Sequence, residues 1–173
     1  MPRLVLTVIG DDRAGLVSAL ADVVTAHDGN WEDSQLAELA GKFAGIVVVG
    51  VPTEGVDALT AALRELDGLL EVAAHPGAEA DAVVADDADA KRLTIDLLGN
   101  DSPGIVREVS SVLNRHELSI ETMTTGTREA PMAGGLLFEA HVVVRVPGGS
   151  DSAALRADLE RLATELLVDI AVA

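Results

Sequence analysis

Residues 10–32 recur at residues 99–121 under a constant shift of 89, so the chain must fold twice into the same small unit. Without gaps, Gly10, Asp12, Gly15, Val17, Val23, His27 and Glu32 coincide with Gly99, Asp101, Gly104, Val106, Val112, His116 and Glu121. Residue frequencies alone would give roughly one or two such identities. A second block, Phe43, Val47, Val48, Val49, Val51 and Pro52, returns as Phe138, Val142, Val143, Val144, Val146 and Pro147 under a shift of 95. The difference between the shifts (95 − 89 = 6) puts six extra residues near 128–134 of the second copy, where a hairpin lengthens at little cost. Halving 173 residues leaves each copy enough chain for one core and too little for a large catalytic domain.

Composition narrows the function classes. A hydrophobic content of 49% excludes wholesale disorder, and no apolar run approaches the roughly 18 residues of a membrane span. The apolar residues 4–9 are too short for a signal-peptide core and run directly into Gly10, Asp11 and Asp12, so the cytoplasm is the expected location. The absence of cysteine removes disulfides, thiolate nucleophiles and sulfur-ligated metals, while leaving the redox compartment open. A net charge of −17, with only 12 scattered Lys and Arg, argues against direct nucleic-acid contact. Acidity is also a common solubilising device, so it names no partner. An RNA-recognition sheet would need basic residues and stacking aromatics, and this chain has two Phe, one Trp and no Tyr.

Periodicity supplies the elements. Residues 4–9 read as a buried strand; Leu16, Val17, Leu20, Val23 and Val24 then trace one face of a helix, as Ile105, Val106, Val109, Val112 and Leu113 do in the second copy. Residues 30–39 and 43–51 read as strands joined at Gly41; Val56, Leu59, Leu63 and Leu66 mark a second helix, and residues 69–74 a closing strand. The second copy repeats this order over residues 93–172, with Leu155, Leu159, Leu162 and Leu166 along its second helix. Strand, helix, strand, strand, helix, strand is the ferredoxin-like βαββαβ plan: an α+β fold of two antiparallel sheets, each with both helices on one face. The expected division is a first domain over 1–75, a linker over 76–91 and a second domain over 92–173. The linker carries Glu79, Asp81, Asp86, Asp87 and Asp89.

The candidate chemistry sits in two strand-to-helix turns, Gly10, Asp11, Asp12, Arg13, Ala14, Gly15 and Gly99, Asn100, Asp101, Ser102, Pro103, Gly104. Glycines let the chain turn sharply and bring backbone N–H groups close to a ligand. An uncapped helix start offers free N–H donors and about half a positive charge, which suits a carboxylate. Asp11, Asp12 and Asp101, with the amide of Asn100, suit an ammonium, so each turn complements both ends of a zwitterion. A phosphate fits worse, because no Lys completes a Walker-type loop and adjacent carboxylates would repel it. The alternative is purely structural: Asp12 and Asp101 as helix N-caps, Pro103 as a first-turn residue, and the glycines serving only the turn.

Other polar residues read as structural. His27 and His116 fall at the end of the first helix of each copy, where imidazole complements the helix dipole. His141, in an apolar strand, reads as a satisfied polar group, and Trp31 as core. Four histidines without HxH or HxxxH spacing make no metal site, and no nucleophile-base pair or cofactor loop stands out, so no metal, cofactor or catalytic residue is expected.

A strand followed by Gly-Asn-Asp-Ser-Pro-Gly-Ile-Val and a helix, within a βαββαβ unit, resembles the ACT domain, an amino-acid-sensing module of metabolic regulation. The tandem arrangement resembles the glycine cleavage system transcriptional repressor family over essentially the whole chain. The resemblance implies a free amino acid held by the turn at an interface with another copy, whose second strand adds contacts. It thereby implicates Gly10, Asp11, Asp12 and Gly15, then Gly99, Asn100, Asp101 and Gly104, with Asn30, Glu32, Ser119 and Glu121 as secondary candidates. Copy one departs from the pattern at Ala14, where the family often has Pro, and at Asp11, where copy two has Asn100. The implied function is non-enzymatic, allosteric and indirect in its effect on transcription, exerted through a protein partner or a homo-oligomer. Two alternatives stay open. One is a ligand-independent scaffold assembled through sheet edges; the other is catalysis as in formyltetrahydrofolate deformylase, whose N-terminal segment resembles this module but whose separate catalytic domain has no counterpart here.

Overall fold

Alternating branched apolar residues, a glycine turn and a one-sided leucine stripe build the first unit in the computed structural model, which describes residues 1–78, 89–132 and 134–173. That unit runs β1 (Arg3–Asp11), α1 (Leu16–Ala26), β2 (Asn30–Leu39), β3 (Lys42–Gly50), a 3-10 turn (Thr53–Gly55), α2 (Val56–Arg64) and β4 (Glu71–Pro76). The second unit runs β5 (Lys91–Asn100), α3 (Ile105–Arg115), β6 (Ser119–Glu129), β7 (Leu136–Val146), α4 (Ser152–Leu166) and β8 (Val168–Val172). Contacts divide the chain into Met1–Val84 and Ala85–Ala173. Of the acids expected in the linker, Glu79, Asp81, Asp86 and Asp87 lie outside the described residues. No helix among the described residues is long and apolar enough to cross a membrane.

The sheets are antiparallel and share one order, β2-β3-β1-β4 and β6-β7-β5-β8, which is the split βαβ arrangement expected from the repeat. In β1, Leu4, Leu6 and Val8 point to the helices, joined there by Val47 and Val49 of β3. Leu16, Leu20 and Val24 of α1 and Leu59 and Leu63 of α2 complete the first core. Ile95, Leu97, Val142 and Val144 meet Ile105, Val109, Val112, Leu113, Leu155 and Leu159 in the second. Each fully buried Leu contributes about 1.5–3 kcal/mol through removal from water.

Two sequence expectations are corrected. Val17 and Val106, assigned to the buried stripe, stand 43% and 41% exposed at the start of α1 and α3, one residue round the helix from Leu16 and Ile105. The fourth strand begins at Glu71, two residues late. The N–H groups of Leu69 and Leu70 both bond the Leu66 carbonyl, closing α2 through Gly68 (φ 92°), while Leu70 enters the core. His141 is the satisfied polar group expected, exposed and paired with Asp96, Nδ1 to Oδ1 at 2.6 Å.

The inserted residues lengthen the β6–β7 hairpin. Leu39 faces Lys42 across a two-residue turn, Ala40 and Gly41, both with positive φ as in the tightest hairpins. The equivalent pair, Arg128 and Leu137, is followed by a further rung, Glu129 and Leu136, and a longer loop. Trp31 packs against the first core, as expected. His27 caps the end of α1, its Nδ1 donating to the Val23 carbonyl at 2.9 Å, and His116 ends α3.

Candidate functional site

The turn between the first strand and first helix has the same backbone in both copies. Gly15 (φ 92°, ψ −1°) and Gly104 (φ 96°, ψ −4°) occupy the N-cap positions in the left-handed region, and no side chain caps either helix. A Cβ at either glycine would meet nothing within 4 Å, so φ alone demands glycine there. The cap carbonyls accept the first helical bonds, from Ala19 N–H at 2.9 Å and Glu108 N–H at 3.0 Å. The N–H groups of the first turn, at Leu16, Val17 and Ser18 and at Ile105, Val106 and Arg107, are thereby left facing outward with the positive end of the helix dipole behind them.

The capping role considered for Asp12 and Asp101 is therefore not the one they play. Their backbone N–H groups donate to the hairpin, Asp12 to the Gly41 carbonyl at 2.9 Å and Asp101 to the Leu136 carbonyl at 2.8 Å. These bonds tie each turn to the β2–β3 or β6–β7 hairpin. Both carboxylates are exposed, with no hydrogen-bond or ion-pair partner among the described residues. Pro103 likewise precedes the cap, two residues before Ile105 begins α3, and is not a first-turn residue.

Gly10 and Gly99 have a different reason from the one their sequence context suggests. They lie inside strands, facing Phe43 and Phe138. A Cβ at Gly10 would stand 2.6 Å from the Leu69 carbonyl oxygen, and one at Gly99 2.2 Å from Val168 Cγ1. They let the strand leading to β4 or β8 pass close by, and no ligand is needed to explain them.

The copies differ at one point of the turn. Asp11 faces Lys42 across the ladder and its carboxylate accepts from the Lys42 ammonium. That hydrogen bond, and next the charge of Lys42, hold the Asp11 carboxyl below its ordinary value. The equivalent pair in copy two is Asn100 facing Leu137, which has no charge to engage the amide. Lys42 escaped the sequence reading, although the hairpin centred on Gly41 and the antiparallel β1–β3 register together place it opposite Asp11.

The secondary candidates lie at the other end of each sheet. Asn30 pairs with Gly50, and Gly50 with Arg3, eight residues along β1 from Asp11, or about 26 Å at ~3.3 Å per residue. Ser119 is placed likewise, opposite Arg145. Glu32 and Glu121 are each the extra residue of a β-bulge, between Trp31 and Asp33 and between Ile120 and Thr122. Glu32 accepts from Arg3 Nε at 2.7 Å, and Glu121 from Arg92 Nε at 2.5 Å with Arg145 Nε at 3.7 Å. Within one unit the turn and these residues are not brought together. Among the described residues no group of His, Asp and Glu is arranged to hold a metal ion.

The chain matches known proteins over both units. The sequence model of the ACT domain fits residues 2–75 and 91–173. The glycine cleavage system transcriptional repressor of Escherichia coli (strain K12) is 25% identical over 170 residues, covering 94% of this chain and 85% of the relative. Among solved structures, a protein of unknown function from Galdieria sulphuraria superposes with a TM-score of 0.87 at 27% identity, covering 99% of this chain and 96% of that one. A crystal structure assigned provisionally as a glycine cleavage system transcriptional repressor gives a TM-score of 0.69 at 17% identity, again over 99% and 96%, and so shares the fold.

Proposed function

Because the chain belongs to the ACT-domain family, we propose that it is a non-enzymatic regulatory protein whose strand-to-helix turns bind a free amino acid and thereby change its contact with a partner protein. The observation that carries this reading is the pairing, in both copies, of an uncapped helix start with an unpartnered carboxylate, Asp12 or Asp101, beside it. The first-turn N–H groups suit the ligand carboxylate, and Asp12 with Asp11, or Asp101 with Asn100, suits its ammonium. Val17 and Val106, exposed at the second helical position beside each turn, offer an apolar surface for the ligand side chain. Gly15 and Gly104 shape the turns, while Gly10 and Gly99 make room for the neighbouring strand beside them.

A complete site draws on a second copy. β2 and β6 are edge strands with unpaired backbone groups, so two such strands can pair antiparallel. That pairing sets the start of one β2, with Asn30 and Glu32, beside the end of the other, next to the turn that Asp11 and Asp12 occupy. In the second unit Ser119 and Glu121 approach Asn100 and Asp101 in the same way. Residues 1–75 and 92–173 then act as two sensing units joined by residues 76–91, in the cytoplasm, and the similarity to a transcriptional repressor makes an indirect effect on transcription the readout. A free amino acid bound at micromolar to millimolar Kd releases roughly 4–8 kcal/mol, ample for the 1–3 kcal/mol of a typical allosteric coupling.

Isothermal calorimetry of the full chain against each of the twenty amino acids, up to millimolar concentration, tests this. Binding by one or a few of them, lost in the Asp12→Ala, Asp101→Ala double variant, is expected. No heat with any of them would overturn this reading, and an assembly indifferent to their presence would then favour the ligand-independent scaffold.

A further inference from the structure

We infer that the open face of the first sheet, opposite its helices, is a self-association surface covered by the same face of a second copy of this chain. At the centre of that face lie Val5, Thr7 and Ile9 of β1 and Ala44, Ile46 and Val48 of β3, paired in register as Val5 with Val48, Thr7 with Ile46 and Ile9 with Ala44. None is charged, and the two largest are well exposed, Ile46 at 51% and Ile9 at 46%. Charged side chains stand toward the corners, at Asp33 of β2, at Glu71 of β4 and at the Arg3–Glu32 pair, and at the hairpin end, where Lys42 and Asp11 neutralise each other. An apolar centre with a polar rim is the anatomy of a protein interface.

The duplication provides an internal control. The equivalent six positions of the second sheet are Thr94, Asp96, Leu98, Glu139, His141 and Val143, paired in the same register. There Asp96 holds His141 and Glu139 holds Arg128, so the centre is charged and its polar groups satisfy one another. One backbone thus supports an uncharged centre in one copy and a charged one in the other. The apolar character therefore belongs to these residues and not to the fold.

Charge selects the occupant. Each chain carries −17, so two copies repel least where they meet through uncharged residues, and the six central positions of this face carry no carboxylate. A basic partner would instead be drawn to carboxylates at the centre, which this face lacks. Shape also suits self-pairing, because a two-fold axis parallel to the strands and midway between β1 and β3 sets bulky Ile9 against the small Ala44 of the mate and Ile46 against its Thr7. A nine-residue strand spans about 30 Å and four strands about 19 Å, so two such faces cover roughly 1,100 Å², close to the ~1,200 Å² lower bound of stable interfaces. The inference does not draw on amino-acid binding.

Sedimentation equilibrium of the full chain reads it directly. The wild-type particle should have a mass that is a multiple of the 17.8 kDa chain, and Ile46→Glu, on an exposed side chain, should halve it. His141→Glu at the equivalent position should leave it unchanged. A 17.8 kDa wild-type particle, or a mass indifferent to Ile46→Glu, overturns the proposal; the latter is what assembly through strand edges predicts. Should circular dichroism show Ile46→Glu unfolded, cross-linking decides. In a chain without cysteine, Thr7→Cys should give a disulfide-linked dimer under mild oxidation while Asp96→Cys does not, and equal yields from both refute the interface.

Discussion

The Glu32 carboxylate crosses β3 to reach Arg3, 2.7 Å from its Nε, and does so over Gly50. A Cβ on Gly50 would stand 2.6 Å from Glu32 Oε1, so the missing side chain is what opens the path. The second copy solves the same crossing differently. Arg145 occupies the position of Gly50 and joins Arg92 around Glu121. In both copies the bulge re-aims the glutamate, which strict alternation along the strand would not.

Gly50→Ala should consequently be coupled to Glu32. The ion pair is partly exposed and contributes about 0.2–1 kcal/mol, while replacing glycine gains about 0.4–1 kcal/mol through the unfolded chain. In the wild type the two nearly cancel; in Glu32→Ala the substitution should be stabilising. A double-mutant cycle by urea unfolding should return a coupling of about 0.5–1 kcal/mol. A value of zero would show that the carboxylate does not lie over Gly50.

The glycines of the second turn should separate by mechanism. Gly104→Ala places a Cβ in open space but at φ 96°, costing about 1–2 kcal/mol, and Gly104→Asn should cost less because Asn tolerates that region. Gly99→Ala drives a Cβ into Val168, which is buried, and should cost about 2–3 kcal/mol, with Gly99→Asn worse still. Denaturant midpoints of the four variants measure this. The same ranking for Ala and Asn at both positions would refute the distinction.

These contrasts mark what the sequence could and could not disclose. The repeat exposed both units, their element order and the lengthened hairpin, because hydrophobic period and turn glycines are local signals that duplication prints twice. The bulges at Glu32 and Glu121 were hidden, since β2 and β6 are edge strands, polar on much of both faces, and a one-residue slip leaves no trace in their pattern. Gly10 and Gly15 look alike in sequence, yet one answers to a neighbouring strand and the other to its own φ. The turn itself was legible as a candidate site; the Lys42 partner of Asp11 needed the register.

Acid should weaken the second unit partly through Asp158. His116 Nε2 donates to its carboxylate at 2.8 Å, and this bond, with Arg161 nearby, holds the carboxyl below its ordinary value of 3.8. A carboxyl whose value is lower folded than unfolded contributes stability that is fully present above 3.8 and is lost as pH falls below it through the folded value. Asp158→Asn should therefore flatten the fall in stability on the acid side of pH 3.8. Thermal melts between about pH 2 and 7 read this out, and an unaltered acid limb would remove Asp158 from the account.

Ligand affinity should differ between the copies because of Lys42. In the first turn its ammonium already occupies the Asp11 carboxylate, leaving Asp12 to meet a ligand ammonium beside a competing cation, whereas the second turn presents Asp101 and the amide of Asn100 with uncharged Leu137 opposite. Asp101→Ala should abolish the tighter binding phase seen by calorimetry, and Asp12→Ala the weaker one. Replacing the first pair by the second, Asp11→Asn with Lys42→Leu, should strengthen the weak phase by about tenfold, equivalent to ~1.4 kcal/mol. An unchanged weak phase in that double variant would mean that the ion pair across the ladder does not tune the site.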